Sequence, residues 1–153
     1  MAKIESMVHN KHEQLYFNII EISQRLEVNI KLALKPYKLT HAQFNILRIL
    51  KGAKNTQVSA KIIKKKMIVK NPDVTRLIDR LVKKELVIRQ INPSNKRQIF
   101  ISLTKQGYDM IDLLNPIMYK AVHNFFQDSI SSEQANSALD VLNIINLELN
   151  SSI

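Results

Sequence analysis

Between Lys51 and Arg97 the chain carries fourteen lysines and arginines against three acids, Asp73, Asp79 and Glu85, a local net charge of +11. The remaining residues hold nine bases and ten acids, so the overall +10 of this 153-residue chain comes entirely from that one segment. A lysine-rich run is ordinarily a solvated face, but one flanked on both sides by charge-balanced sequence selects for a polyanion. Within it, Asn71, Asp73, Thr75 and Arg76 open an amphipathic segment, and the first residues of a helix entering a major groove are those that reach base edges. Arg76 has the paired donors that match guanine, Thr75 can meet a thymine methyl or a phosphate, and Asp73 can accept from cytosine. Asp73 has a blander role open to it as well, an acid on the helix dipole paired with Arg76 or Lys70. Lys64, Lys65, Lys66, Lys70, Arg80 and Lys83 suit phosphates, which position a protein without reading sequence. Further on, Asn95, Lys96 and Arg97 form a basic turn, and arginine is drawn electrostatically into narrow A·T-rich minor grooves.

Other chemistries find no material. The chain has no cysteine, which removes disulfides, thiolate ligands and thiol nucleophiles. Its two glycines, Gly52 and Gly107, cannot build a phosphate-cradling loop or a dinucleotide fingerprint. His9, His12 and Glu13 have a spacing that could gather a metal, but no HExxH arrangement is present and a solvated helix start explains them as well. His41 and His123 stand apart from other ligands. The expectation is a protein that is not an enzyme and needs no cofactor or metal. No stretch approaches the roughly 18 to 20 apolar residues of a membrane span, and Met1 to Glu13 has no apolar signal core, so a cytoplasmic protein with no membrane partner is expected.

The positioning elements follow from periodicity. From Val8 to Leu34, Leu15, Ile19, Ile22, Leu26, Ile30 and Ala33 recur at spacings of three and four, one helical stripe that Lys35-Pro36-Tyr37 interrupts. A second helix starts after Thr40, which forms a capping box with Gln43 while Leu39 staples onto Phe44, and ends at Gly52. A polar turn from Ala53 to Gln57 leads to a short helix over Ser59 to Met67, with Ile62 and Ile63 inward and Lys61, Lys64 and Lys65 outward. The next helix spans Asn71 to Lys84, with Asn71 as N-cap, Pro72 in the first position and a buried stripe of Val74, Leu77, Ile78, Leu81 and Val82. Periodicity then shifts to two short β-branched runs, Leu86 to Ile91 and Gln98 to Leu103, joined through Asn92-Pro93-Ser94-Asn95 and Lys96-Arg97 into a hairpin. Thr104 caps a long helix to about Gln127, kinked at Pro116. A last helix opens at Ser131 with Gln134 and carries Ala135, Ala138, Leu142, Ile145 and Leu149.

Two short helices followed at once by a hairpin describe a winged helix-turn-helix, and that unit coincides with the basic segment. The fold class expected is mainly α with a small β-hairpin wing and six helices. It is a single domain over 1–153, with 38–103 as the DNA-binding part and 1–35 and 104–153 as a helical dimerisation part. A chain this small cannot hide the apolar faces of its long first, fifth and sixth helices on itself, and joining two copies is the natural outlet.

The runs LTHAQFNILRIL (Leu39 to Leu50), NPDVTRLIDRLVKKELVIR (Asn71 to Arg89) and NPSNKRQIFISLTKQG (Asn92 to Gly107) resemble, in order, successive blocks of the MarR family. The resemblance implies a homodimer held by its terminal helices, two winged units on adjacent major grooves of double-stranded DNA, and control by a small-molecule effector. It places that effector near Tyr37, His41 and Arg48. The chain departs from the family pattern at two positions. Glu85 stands where the family usually has glycine at the exit of the recognition helix, so that exit should either be built differently or cost about 1 kcal/mol. Asn95 stands where the wing usually has aspartate, which leaves Arg97 a neutral acceptor in place of a charged one. Two rivals fit the same composition: a winged-helix module for RNA or nonspecific DNA, and a basic helical adaptor for other proteins.

Overall fold

The computed structural model describes residues 10–53, 58–68, 73–92, 95–127 and 129–151. Asn10 caps the first helix, α1 (Lys11–Leu34), its side chain accepting from the backbone N–H groups of His12 and Glu13; the expected start at Val8 lies outside the described residues. A 3-10 turn (Lys35–Tyr37) follows where Pro36 was expected to break the helix. Next come α2 (His41–Gly52), α3 (Ala60–Lys66), α4 (Val74–Lys83), β1 (Val87–Asn92), β2 (Asn95–Leu103), α5 (Lys105–Phe126) and α6 (Ser132–Ser151). The fold is mainly α with one antiparallel hairpin, a winged helix-turn-helix framed by long helices.

Local side chains place most of the boundaries. Thr40 and Gln43 form the expected capping box, each side chain satisfying the other's backbone N–H. Ser59 caps α3, and Ser131 with Gln134 forms a second box before α6. α5 is a single helix that contains Pro116. The core gathers Leu34, Phe44, Ile46, Leu47, Ile63, Ile78, Leu81, Val87, Ile111 and Leu114 from the first five helices and the wing. The wing root is held by Val58, whose carbonyl accepts from the Ile101 N–H at 2.8 Å and so adds a one-residue bridge to β2.

Three expectations are corrected. Ile62 does not turn inward with Ile63; it is 40% exposed while Ile63 is fully buried, because neighbours in a helix are about 100° apart and a seven-residue helix has one inner edge. The second strand begins at Asn95, not Gln98. Asn92 pairs with Asn95 beyond a register shift after Ile91, so the strand runs through Lys96, Arg97 and Gln98 as an irregular stretch between the Asn95 and Ile99 pairs, and only Pro93 and Ser94, outside the described residues, lie between the strands. The cap of α4 is Asp73 and not Asn71, which, with Lys70 and Pro72, lies outside the described residues.

Both sharp corners of the frame use left-handed residues that are not glycine, Lys38 (φ 54°) and Glu85 (φ 58°). At Glu85 the N–H bonds to the Val82 carbonyl and the Leu86 N–H to the Leu81 carbonyl, the paired closure of a Schellman motif. The recognition helix therefore leaves by the conformation a glycine would adopt, although the residue is glutamate. At Lys38 the same two bonds recur, from Lys38 to Lys35 and from Leu39 to Leu34. The two corners are joined: Lys84 Nζ donates to the Lys38 carbonyl at 2.9 Å. From the other side, Thr104 Oγ1 donates to the Glu85 carbonyl at 2.6 Å and accepts from the Gly107 N–H at 2.9 Å, and the Thr104 N–H reaches the Leu86 carbonyl.

Candidate nucleic-acid interface

α4 buries Val74, Ile78 and Leu81, with Leu77 and Val82 half-covered, and this inner stripe orients the helix. Its other face carries Thr75, Arg76, Arg80 and Lys83, all exposed. Asp73 caps the helix by accepting from the Arg76 N–H at 3.1 Å, and its second oxygen lies 3.2 Å from Arg76 Nε. Asp73 thus sits at the helix start paired with Arg76. Arg76 keeps 80% of its side-chain surface in solvent, so the ion pair is weakly held and its guanidinium fork can be redirected.

The preceding helix, α3, presents Lys61, Lys64, Lys65 and Lys66 to solvent while Ile63 anchors it and Met67 closes its end. Asn95 is exposed on β2; Lys96 and Arg97 are backbone members of that strand, and their side chains lie outside those described. Sequence reasoning missed what ties the wing to the recognition helix. Arg89 on β1 contacts Asp79 on α4 through Nη2 and Oδ1 at 2.6 Å. The available signal was an acid on the outward face of the helix followed ten residues later by an arginine on the inward-facing side of a strand.

Of the residues placed near an effector, His41 and Arg48 line a cleft of about 940 Å³ between α1, α2 and α5, together with Phe44, Met118, Tyr119 and Phe126. Tyr37 does not line it; its ring packs half-buried against the core. Around the cleft, His41 Nδ1 lies 2.7 Å from Glu27 Oε2, the Arg48 guanidinium sits over the Phe44 ring at 6.0 Å, Lys51 is paired with Asp112, and His123 stacks on Tyr119. Among the described residues no helix is long and apolar enough to cross a membrane.

The comparisons with known proteins fall on the same segment. The MarR family model matches residues 39–99. The HTH-type transcriptional regulator YdcH of Bacillus subtilis is 28% identical over 131 residues, covering 82% of this chain and 87% of that protein. A mutant MarR from E. coli, solved in complex with operator DNA, superposes with a TM-score of 0.76 at 24% identity, over 86% of this chain and 93% of its own. BpsR of Bordetella bronchiseptica, solved in a study of how 6-hydroxynicotinic acid regulates its DNA binding, gives 0.78 at 19% identity, over 91% and 97%. The chain thus carries a MarR-family domain over α2 to β2, within the fold of the MarR-like structures, and the regulators of that family are DNA-binding proteins and not enzymes.

Proposed function

We propose that the chain is a cytoplasmic repressor that binds an inverted-repeat operator as a homodimer and is released by a small-molecule ligand. The observation that carries the reading is the arrangement of the +11 segment. A ten-residue helix with a buried stripe inside and Thr75, Arg76, Arg80 and Lys83 outside meets a basic wing through the contact of Arg89 with Asp79. In this reading 38–103 engages DNA while 1–35 and 104–153 join the two copies. Arg76, Thr75 and Asp73, with Asn71 ahead of them, face base edges. Lys64, Lys65, Lys66, Lys70, Arg80 and Lys83 meet phosphates, and Asn95, Lys96 and Arg97 follow the minor groove.

Dimerisation is supported by what the outer helices leave uncovered. Leu15, Ile19 and Ile22 on α1, and Leu139, Leu142 and Leu147 on α6, are exposed, and large apolar surface of this kind marks an interaction site when it forms one patch. Two recognition helices about 34 Å apart would enter one face of the duplex a turn apart, which makes the operator a palindrome. Release by a ligand is supported by the cleft between α1, α2 and α5, since its walls belong to both the dimerising and the DNA-binding parts and its polar groups include His41 and Arg48. BpsR, a protein of the same fold, is regulated by an aromatic acid.

Recovery of bound fragments from random duplex DNA tests the reading. A palindromic consensus bound roughly a thousandfold or more above bulk DNA is the expected result. A monomer that binds no duplex at modest ionic strength after any bound metabolite has been removed would overturn it, and binding without sequence preference would favour the module for RNA or nonspecific DNA.

A further inference from the structure

The inner face of the wing changes character along its length. At the root Val87 and Leu103 face each other, both buried. Next, Arg89 stands opposite Ile101, the arginine tied to Asp79 of the recognition helix and the isoleucine sealed in the core. The third pair on this face is Ile91 opposite Ile99, and it lies beyond the core: Ile91 is 65% and Ile99 47% exposed. Side chains directly opposite in an antiparallel pair have Cβ atoms about 5 Å apart, so the two form one continuous apolar patch. It sits about 7 Å past Arg89 in the direction of the tip, where Lys96 and Arg97 follow in the chain.

An exposed β-branched pair on a hairpin invites edge-to-edge association, and nothing in the packing of the isolated protein requires it. It is nonetheless set inside the one strongly basic segment, between an arginine bound to the recognition helix and the two bases of the tip. That charge selects a polyanion, and duplex DNA, the polyanion of the reading above, presents deoxyribose rings between its phosphates. We propose that Ile91 and Ile99 pack against the deoxyribose edge of the minor groove, so that the wing adds a sequence-independent, salt-insensitive contact to the ionic ones. The inference rests on the DNA-binding reading above and assigns the surface those two side chains cover.

The contact predicts a separable signature. Each phosphate neutralised by a cation steepens the salt dependence of binding, whereas an apolar contact lowers affinity on removal without changing that slope. The test is fluorescence anisotropy with the full-length protein and a labelled duplex of about 30 base pairs of arbitrary sequence, titrated over about 50 to 200 mM salt. The variant is Ile91→Thr with Ile99→Thr, which keeps the branched backbone preference of both strands. Binding is expected to weaken about tenfold at every salt concentration, with the slope unchanged. Ile91→Val with Ile99→Val trims the patch without adding hydroxyls and should lose about two- to threefold; this conservative pair keeps the test valid if the threonine pair lowers the melting temperature. Equal affinity of wild type and both variants overturns the proposal, as does a loss that comes with a shallower slope. A loss of self-association at unchanged DNA affinity also overturns it, in favour of a second copy as the occupant. If the wild-type protein binds no duplex, the regulator reading falls as a whole; if it binds and the variants bind alike, only the wing contact falls.

Discussion

Replacing Gly107 by alanine tests how tightly the recognition helix is seated. A Cβ built at Gly107 would lie 2.0 Å from the Leu86 carbonyl oxygen, 3.1 Å from its carbon and 3.2 Å from a methyl of Leu103, and real Cβ atoms essentially never come within 3.0 Å of another heavy atom. The nearest obstacle is backbone, so the start of α5 and the corner at Leu86 must separate by about an ångström, and overpacking of this kind costs about 1 to 3 kcal/mol. The same movement stretches the 2.6 Å bond from Thr104 Oγ1 to the Glu85 carbonyl, worth about 1 kcal/mol. Alanine returns up to about 1 kcal/mol of helix propensity. The net expectation is a destabilisation of about 1 to 3 kcal/mol, or roughly 4 to 8 °C in melting temperature at the middle of that range. Thermal unfolding should be compared at one fixed protein concentration, because dimerisation makes the midpoint concentration-dependent. The internal control is Gly52→Ala, where a Cβ meets nothing within 4 Å and a gain of a few tenths of a kcal/mol is expected. If Gly107→Ala melts with the wild type while Gly52→Ala behaves as stated, the close seating of α5 against the recognition-helix exit is refuted.

The other predictions concern the same helix and its surroundings. Glu85→Gly should stabilise the protein by about 1 kcal/mol, because the left-handed exit at φ 58° no longer strains a side chain; an unchanged urea midpoint would contradict it. Arg76→Ala should weaken operator binding by about 1 to 3 kcal/mol and relax the preference at one base pair, and a variant that retains wild-type selection from random DNA would remove Arg76 from the readout. Lys65→Ala should weaken binding to all duplexes alike and lower the salt slope by about one, which a titration at several ionic strengths measures directly. A double-mutant cycle between Asp79→Asn and Arg89→Gln should return a coupling below about 1 kcal/mol for stability, since both groups are more than a third exposed; a larger value would mean the pair organises more than its own contact.

Much of the frame was legible in residue order because its signals are local. Thr40 with Gln43, Ser131 with Gln134 and Thr104 with Gly107 are capping arrangements three residues apart, and each stands where the spacing predicted it. The stripe of α4 was equally plain. The boundary of that helix was not, because Asn71 and Asp73 are both good caps on either side of a proline, and the choice depends on which side chain reaches an amide three residues on. Asp73 reaches Arg76. The wing tip reads as turn because Asn95, Lys96 and Arg97 lack β-branched character; the strand runs on through them to the Asn92–Asn95 pair, a backbone pairing that side-chain types do not report. Tyr37 packs half-buried against the core, a tertiary contact that residue type and spacing do not report. The Asp79 to Arg89 link joins a helix to a strand, and its signal, an acid and an arginine ten residues apart, acquires meaning only once the two elements are packed together.

The lysine that spans the two left-handed corners makes the far end of the recognition helix a fulcrum. Lys84 fastens that end to the exit of α1, Thr104 fastens it to the entry of α5, and no described side chain ties down the opposite end in the same way. Ten residues of α4 make an arm about 15 Å long. A tilt of about 4° at the fixed end therefore sweeps the reading end through about 1 Å, a displacement comparable to the whole working range of a hydrogen bond. Any tilt about that corner is magnified at the end where Arg76 stands, and the packing of Val74 in the core opposes it.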